Sequence, residues 1–425
     1  MLSPGQQIEL EIEKPAAGGR MIARHEGQVV LVLGAIPGER VLARVDKADR
    51  QLAFASTVEI RRPSPDRREP FVDPLCGGCL FAHVEYARQP ILKADIIRDA
   101  FARLGRIALP SFDVAPSPEH GYRMRGRLYV RDGAIGFFRE GTHALCDAAA
   151  TCLLTQAAVA RAAACAQALL SDGCGVDSVV VTEDLPGDSR ALHVEVRGAA
   201  RVDGARLEEL VAALALAGCS VRSDGGRLAA GDPSVSDPLD ALTHGRASQG
   251  RLRRRAESFF QANRFLLPTL VSAVMDAVPS TGPVIDLYAG VGLFAVSLAA
   301  LGRSGIVAVE GEPSSGADLA ENASQFPGAV RVFTESVERF LADVARQPAG
   351  TLIVDPPRTG ISRAAMSSVG SYGARRIVYV SCDPATMARD ARRLVDAGYS
   401  LETFQAFDLF PNTPHVESVG VFDHV

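Results

Sequence analysis

The strongest constraint on the fold lies in the second half of the chain, where short apolar runs alternate with segments of helical pattern. From about residue 256 the apolar runs are 284–288, 306–310, 330–333, 352–355 and 377–380. Short continuous runs of this kind are typical of strands buried on both faces of a parallel sheet. The pattern predicts a doubly wound α/β domain, and the runs 402–409 and 416–422 predict an antiparallel pair that closes its sheet.

Two of these predicted strands end at side chains that can carry chemistry. Asp355 opens the sequence DPPR after one strand, and Cys382 lies in the sequence SCDP after the next. Because the carboxyl ends of parallel strands meet at one edge of the sheet, both side chains are expected beside the same cleft. A cysteine there can act as a nucleophile, and a small buried hydrophobic residue is the competing interpretation of Cys382.

A glycine loop follows the first strand of this domain. The run 284–288 leads into the sequence AGVGLF, with Gly290 and Gly292, and Glu310 ends the next strand. Glycines let the backbone approach a ligand closely, and an acidic group at Glu310 can accept hydrogen bonds from ribose hydroxyls. The loop fits NAD as well as S-adenosylmethionine, although Asp286, four residues before Gly290, has the spacing of the latter.

Cys382, the glycine loop and Glu417 together match the requirements of methyl transfer to C5 of uracil. A thiolate must add to C6, an electrophilic methyl group must be supplied, and a base must then remove the C5 proton. Glu417 lies in the sequence PNTPHVE, where a solvated hairpin charge is the competing interpretation. His415 can orient Glu417, contact phosphate or simply pack, and Arg358 favours a phosphate-bearing partner over an exocyclic amine.

The first half of the chain has a different pattern. Candidate strands over 8–12, 29–32, 40–44 and 54–60, separated by glycine turns, predict a small β-barrel. A linker over 61–68 leads to a mixed region with a helix over 90–104, a hairpin turning at Asp132-Gly133, and strands over 178–182 and 191–196. These boundaries predict three domains, over residues 1–62, 63–255 and 256–425.

Composition bears on partners and location. The chain has 425 residues and a formal net charge of −5, which argues against a uniformly basic nucleic-acid-binding protein. Arginine clusters at 61–62, 67–68, 123–127 and 251–255 can still neutralise phosphates, or can be ordinary solvated surface. No secretory signal or membrane-spanning run is visible, so we predict a cytoplasmic protein that does not contact a membrane.

Five motifs resemble the RNA 5-methyluridine methyltransferase family. They are FFQAN at 259–263, DLYAGVG at 286–292, DPPR at 355–358, SCDP at 381–384 and HVE at 415–417. The N-terminal segment resembles the TRAM RNA-binding barrel of the members that modify rRNA. The resemblance implies a Rossmann-like class I methyltransferase fold, an OB-like N-terminal barrel and a mixed α+β central domain.

The resemblance also implies roles for individual residues. Cys382 would be the nucleophile and Glu417 the base. Contacts with S-adenosylmethionine would come from four residues: Gln261, Tyr288, Glu310 and Asp355. The chain departs from the family at Leu293, where asparagine is common, so no cofactor contact is expected there.

The pair Cys76 and Cys79, in the sequence CGGC, has a spacing that can hold a metal centre. Relatives that this segment resembles carry an iron–sulfur cluster, and Cys152 stands where a further ligand is expected. The first expected ligand is missing, because position 70 is Pro70. Cys146 is the one candidate to replace it. A [4Fe–4S] cluster and a loop held only by packing both stay open.

These expectations converge on an S-adenosylmethionine-dependent RNA uracil-C5 methyltransferase. The barrel and the CGGC loop favour 23S rRNA as substrate, and tRNA is the alternative. An NAD(P)-dependent oxidoreductase would need only the Gly290 loop and Glu310, and it leaves Cys382 and Glu417 unexplained. A non-catalytic RNA-binding protein is the third interpretation. The target base must leave its stack to reach Cys382, which favours a loop or a flipped nucleotide.

Overall fold

The computed structural model describes residues 2–425 apart from 149–150, 152, 199–201, 262 and 344–349. Its N-terminal part is the predicted β-barrel, closed in the strand order β1-β2-β3-β5-β4. Alternate residues of the first strand, Ile8, Leu10 and Ile12, point into the barrel core, as expected for a strand with one buried face. The strands are β1 (Gln7–Pro15), β2 (Met21–His25), β3 (Gln28–Leu33), β4 (Arg40–Ala48) and β5 (Leu52–Arg62).

The segment after the barrel packs against the C-terminal sheet. A short 3₁₀ turn (Tyr86–Arg88) leads into α1 (Gln89–Ala100), which continues as a single π-helical turn (Phe101–Gly105). A proline in the first turn of α1 suits the fixed backbone angle of a helix start. The two-residue strand β6 (Val114–Ala115) then joins the edge of the C-terminal sheet.

The central region is a mixed sheet with helices on one face. Its strand order is β13-β12-β11-β10-β7-β8-β9. The predicted hairpin turn at Asp132-Gly133 is present, with positive φ at both residues as a type I′ turn requires. The elements are β7 (Arg125–Arg131), β8 (Ala134–Phe138), β9 (Leu145–Asp147), α2 (Gln156–Ser171), β10 (Gly175–Glu183), β11 (Arg190–Arg197), α3 (Gly204–Ala213), β12 (Gly218–Ser223) and β13 (Gly226–Gly231).

A small hairpin and two helices connect the central sheet to the C-terminal domain. They are β14 (Ser234–Pro238), α4 (Leu239–Leu242), β15 (Arg251–Arg255) and α5 (Leu267–Ala277). Buried Arg254 of β15 pairs with Asp237 of β14 and lies over the ring of Phe260, at 4.0 Å from its centroid. A buried charge needs such a partner, and this pair fixes the chain just before the FFQAN motif.

The C-terminal domain confirms the predicted doubly wound α/β fold. Its sheet runs β18-β17-β16-β19-β20-β22-β21-β6, with β16 to β20 parallel and β22 antiparallel to both of its neighbours. The elements are β16 (Val284–Leu287), α6 (Leu293–Ala300), β17 (Ile306–Val309), α7 (Pro313–Ala323), β18 (Val330–Phe333), α8 (Val337–Asp343), β19 (Thr351–Val354), α9 (Arg363–Tyr372), β20 (Arg376–Ser381), α10 (Pro384–Asp396), β21 (Tyr399–Phe407) and β22 (Glu417–His424).

Strand order reverses between β16 and β19, which is the topological switch point of the sheet. In open α/β sheets, ligands bind outside the carboxyl ends of the strands at this point. Apolar side chains cover both faces of the sheet and make it rigid, with Phe294 and Val380 on one face and Tyr379 and Leu394 on the other. Among the described helices, none has the length and apolar character that crossing a membrane requires.

Candidate active site

Four neighbouring parallel strands end at one edge of the sheet, and the predicted site residues follow them. Tyr288 comes after β16, Glu310 after β17, Asp355 after β19 and Cys382 after β20. Short apolar strands closed by proline or glycine turns determine this placement. The edge carrying these four residues and Glu417 is called the catalytic edge below.

Glu417 reaches the catalytic edge from the opposite chain direction. It is the first residue of β22, which pairs antiparallel with β20 so that Ser381 lies opposite Ser418. The next residues in this register are Cys382 and Glu417, and they therefore share the end of the same strand pair. The sequence predicted a closing antiparallel pair, and this register brings the two predicted catalytic residues together.

The glycine loop has the shape that close approach of a ligand requires. Tyr288, Gly290 and Gly292 all have positive φ, of 60°, 57° and 95°. A Cβ atom built on Gly290 would meet nothing within 4 Å, so the loop is open there. One on Gly292 would lie 2.7 Å from a methyl carbon of Val296, so close packing onto α6 requires glycine at that position.

The Glu310 carboxylate is held in place by two backbone groups. It accepts hydrogen bonds from the Gly290 N–H at 2.8 Å and from the Glu312 N–H at 2.6 Å. A carboxylate has about four acceptor positions, so two such bonds leave capacity for further donors. This arrangement suits an acidic group that receives hydrogen bonds from ribose hydroxyls beside the glycine loop.

The side chains of Gln261 and Asp355 are in contact at the catalytic edge. The Gln261 side-chain amide donates to the Asp355 carboxylate at 3.3 Å. Burial raises the pKa of Asp355 to about 7 and that of Asp286, beneath the glycine loop, to about 8. Closely spaced carboxyl groups, one buried and one half-buried, favour a positively charged ligand, because its charge would stabilise their ionised forms.

Cys382 and Glu417 share an electrostatic environment with Arg358. Burial, followed by the charge of Glu417, raises the pKa of the Cys382 thiol to about 12, while Arg358 opposes this by charge and hydrogen bonding. Burial, followed by the charge of Asp355, raises the pKa of Glu417 well above its usual range, and Arg358 again opposes the shift. Strong perturbations of this kind in a cleft are characteristic of functional groups.

The Glu417 carboxyl group is also unusual in its contacts. It is 1% exposed, and neither of its oxygens has a hydrogen-bond partner among the described residues. An unsatisfied buried carboxyl group costs on the order of 1–3 kcal/mol, so structures rarely retain one without a role. This burial argues against the alternative in which Glu417 is a solvated hairpin charge.

The ring of His415 packs next to the catalytic edge. Its ring makes an edge contact with Phe410, at 6.0 Å between centroids, and its backbone N–H donates to Thr413. Burial, followed by the charges of Arg358 and Arg123, lowers the pKa of His415 to about 4. The imidazole is therefore neutral at pH 7.

Arg358 is the site residue that the motif-based list omitted. It is exposed, and its positive charge opposes the increase in the pKa of both Cys382 and Glu417. The signal was present in the sequence, because the DPPR motif places Arg358 three residues after a predicted strand end. Only the assembled edge shows that the strand carrying Cys382 is the neighbour of the strand that precedes Arg358.

Two of the four predicted basic clusters form ion pairs within the fold. Arg67 binds the buried Glu39 carboxylate, and Arg68 binds Glu119. In the 251–255 cluster, the partners of Arg254 and Arg255 are Asp237 and Asp318. These arginines join segments of the fold, which is a different use from the phosphate contacts that their spacing suggested.

The CGGC loop packs its thiols together. Cys76 is buried, and hydrogen bonding with Cys79 holds the pKa of its thiol down, at about 6. Cys146 also contacts Cys76, and an apolar cluster with Tyr122 and Leu153 surrounds the three thiols.

Among the described residues, the surroundings of this loop do not support the predicted metal centre. Within the described residues, no group of three or more Cys, His, Asp or Glu side chains has an arrangement that could hold a metal ion. The predicted ligand Cys152 lies outside the described residues. The predicted [4Fe–4S] cluster with ligands Cys76, Cys79 and Cys152 is therefore not supported.

Comparison with known proteins agrees with this geometry. Residues 221–424 match the family described as tRNA (Uracil-5-)-methyltransferase, and residues 2–58 match the TRAM domain. The 23S rRNA (uracil(1939)-C(5))-methyltransferase RlmD of Alkalilimnicola ehrlichii is 33% identical, over 99% of this chain and 97% of that protein. The chain belongs to the RNA uracil-C5 methyltransferase family. It is an S-adenosylmethionine-dependent enzyme that acts on RNA.

Two further relatives agree with this assignment. An uncharacterized RNA methyltransferase of Streptomyces avermitilis is 33% identical, over 99% of this chain and 98% of that protein. The crystal structure of Pyrococcus abyssi tRNA (uracil-54, C5)-methyltransferase in complex with S-adenosyl-L-homocysteine superposes with a TM-score of 0.75. It has 22% identity and covers 97% of this chain and 99% of that chain. At that identity the likeness concerns the fold, and the predicted methyltransferase fold is confirmed.

Family membership also decides between the alternatives left open by the sequence. The NAD(P)-dependent oxidoreductase and the non-catalytic RNA-binding protein are both set aside, because the methyltransferase relatives match over almost the whole chain. The predicted TRAM barrel is confirmed.

Proposed function

We propose that this methyltransferase modifies a uridine of 23S rRNA through a covalent bond between Cys382 and C6 of the target uracil. The observation that carries the proposal is the register of β20 and β22, which brings Cys382 and the unpartnered Glu417 carboxyl group to one edge. Arg358 acts on both groups. This combination of a thiol, a carboxyl group and a cation supports the proposed covalent mechanism.

In the first step the Cys382 sulfur adds to C6 of uracil. The electron pair of the C5–C6 double bond moves towards C5 and the adjacent carbonyl oxygen, which forms an enolate. The thiolate is the reactive form, and Arg358 favours it by opposing the pKa increase that burial causes. In this proposal Arg358 therefore assists addition, although it does not bond to the base.

In the second step C5 of the enolate takes the methyl group. S-adenosylmethionine, when bound, would supply this group as an electrophile; its sulfur–methyl bond would break and the neutral thioether S-adenosylhomocysteine would leave. We assign Gln261, Tyr288, Glu310 and Asp355 to hold the cofactor, and Glu310 would accept hydrogen bonds from its ribose. Arrival of the positive charge of the cofactor would favour the ionised form of Asp355.

In the last step Glu417 removes the proton from C5. The electron pair of that C–H bond restores the C5–C6 double bond, and the Cys382–C6 bond breaks, which releases the thiolate and 5-methyluridine. A base must be deprotonated to do this, and Arg358 favours ionisation of Glu417. Burial keeps this carboxylate poorly solvated and therefore reactive towards a carbon acid.

The choice of 23S rRNA follows the relatives with the higher similarity. The proteins named RlmD are 32–33% identical over nearly the full length of both chains, whereas the tRNA enzyme of known structure is 22% identical. tRNA is the second candidate, because the matching family description names tRNA. The proposal gives no step to the CGGC loop, whose thiols contact one another.

A covalent trap tests the mechanism and the substrate together. The protein, S-adenosylmethionine and RNA carrying 5-fluorouridine are mixed and run on a denaturing gel, with 23S rRNA fragments and tRNA in parallel. Fluorine cannot leave C5 as a proton does, so the adduct should persist. We expect a shifted band with the 23S fragment that Cys382→Ser abolishes. A band with tRNA alone would overturn the substrate, and no band with either RNA would overturn the covalent mechanism.

A further inference from the structure

The loop over residues 408–416, called the β21–β22 loop below, delivers Glu417 to the catalytic edge. Glu417 has no hydrogen bond of its own to hold its side chain among the described residues. Its position therefore depends on the backbone of β22 and on the loop that precedes it. Several polar contacts of this loop run to distant parts of the chain, and those with Gln89 and Lys93 span more than 300 positions.

One of these contacts is a reciprocal pair between Gln89 and Asn412. The Asn412 backbone N–H donates to the Gln89 side-chain oxygen at 2.8 Å, and the Gln89 amide donates back to the Asn412 side-chain oxygen at 2.9 Å. Both residues are 0% exposed. This pair fixes the geometry of the turn, because it holds both the backbone and the side chain of Asn412.

Asn412 is the residue at which the loop turns. Its φ of 64° lies in the left-handed region, which asparagine tolerates better than most residues. Two more groups hold it there, since its carbonyl accepts from the Phe81 N–H at 2.8 Å and its side-chain oxygen accepts from Arg68 at 2.8 Å. The turn five residues before Glu417 is thus held by segments outside the C-terminal domain.

A second anchor holds the beginning of the same loop. Lys93, one turn after Gln89 on α1, is 0% exposed. Its ammonium group donates to the Asp408 carboxylate at 2.5 Å and to the Phe410 carbonyl at 2.9 Å. Helix α1 therefore contacts the loop at both Asp408 and Asn412, through two side chains on one helical face.

We propose that Gln89 is a positioning residue for the general base of the reaction. Together with Asn412 it holds the β21–β22 loop so that Glu417 faces the carbon from which it removes a proton. Gln89 does not contact the substrate in this proposal, and it acts only through the loop. The inference rests on the proposed role of Glu417 and adds the element that gives Glu417 its position.

The proposal predicts a defect in one step of the reaction. Gln89→Met keeps the length and volume of the side chain but removes its hydrogen bonds. Addition and methyl transfer depend on Cys382 and the cofactor residues, so they should continue. Proton removal should slow on the order of 10- to 100-fold, because catalysis is sensitive to small displacements of a base. The methylated covalent adduct should then accumulate with ordinary uridine RNA.

The experiment follows both steps in one single-turnover reaction. RNA labelled with tritium at C5 of the target uridine reports proton removal as tritium release, and a labelled methyl donor reports methyl transfer. We expect Gln89→Met to transfer methyl groups at nearly the wild-type rate while tritium release lags. Thr243→Val is the matched control, because it removes a different buried hydrogen bond, at the end of α4. It should not separate the two rates.

A second variant keeps the test decisive if Gln89→Met does not fold. Asn412→Gly removes the same amide partner while tolerating the positive φ, and it should give the same lag. Equal slowing of both steps, or no slowing, would overturn the positioning role. Failure of the proposed mechanism would look different, since wild-type protein would then give no adduct with 5-fluorouridine RNA.

Discussion

The catalytic edge and the CGGC loop both bring reactive side chains together, but they surround them differently. At the edge, Cys382 shares a strand end with Glu417, whose buried carboxyl oxygens have no hydrogen-bond partner among the described residues. In the loop, Cys76 contacts Cys79 and Cys146 within an apolar cluster. Among the described residues, the carboxyl group at the edge is therefore left without a partner, whereas the thiols of the loop partner one another.

The two regions differ in whether their buried polar groups have hydrogen-bond partners. A buried charged or polar group without a partner costs free energy, so a fold keeps it only where a ligand or a reaction uses it. In the loop, by contrast, Cys79 and Cys146 supply hydrogen bonding to the Cys76 thiol, so that thiol already has partners within the fold. A reactive residue type is therefore a weak signal of function by itself. It becomes a strong signal when a neighbouring buried polar group lacks a hydrogen-bond partner.

The largest expected effect is at the nucleophile. Cys382→Ala should reduce methyl transfer by at least about 10⁴-fold, because no other group can form the bond to C6. RNA binding should be retained, since affinity lies mainly in phosphate contacts. Labelled methyl incorporation and filter binding measure the two properties. Cys174→Ala, at a buried thiol away from the edge, is the control, and loss of RNA binding in Cys382→Ala would instead give that residue a structural role.

Glu417→Gln comes next in size. Turnover should fall on the order of 10²- to 10⁴-fold, because the amide cannot accept the C5 proton. Methyl transfer should still occur once per enzyme, so a covalent protein–RNA band should build up with unmodified uridine RNA on a denaturing gel. Glu208→Gln, on the exposed face of α3, should behave like wild type. Normal turnover of Glu417→Gln would remove it from the mechanism.

The pH dependence of kcat/KM should report on the catalytic edge. The pKa values of both Cys382 and Glu417 are raised, and each acts in its deprotonated form, so kcat/KM should rise with pH from neutral upwards. Arg358→Met removes the charge that favours both deprotonated forms and should shift the pH profile to higher pH by about one unit. Rate measurements across neutral and alkaline pH test this, and a profile falling above pH 7 would contradict it.

The smallest effect is expected in the CGGC loop. Cys146→Ala should lower the free energy of unfolding by about 1 kcal/mol, because it removes a buried sulfur from an apolar cluster. The methyl-transfer rate of the folded protein should stay within about twofold of wild type. Cys165→Ala, on the buried face of α2, is the matched control for loss of a buried thiol. A large loss of activity without a loss of stability would give the loop a chemical role and break the comparison.

Much of the fold could be predicted because it depends on local pattern. The hairpin at Asp132-Gly133 follows from backbone preference at positive φ, and Gly292 marks the start of α6 for the same reason. The helix predicted over 90–104 ends as regular α-helix at Ala100 and continues as a π-helical turn to Gly105. That difference arises where the helix packs closely on α10, since Gly105 lies against the Ala388 backbone.

The sequence by itself determined where the reactive residues stand along the chain, because strand ends, glycine turns and proline stops are local properties of the backbone. It placed Cys382 and Asp355 after successive strands. Which side chains lie beside them depends on how the chain packs in three dimensions. The antiparallel register of β22 brings Glu417 beside Cys382, and Gln89 from a distant helix fixes the loop before it. Such partners are chosen by packing between segments far apart in sequence, which no local pattern encodes.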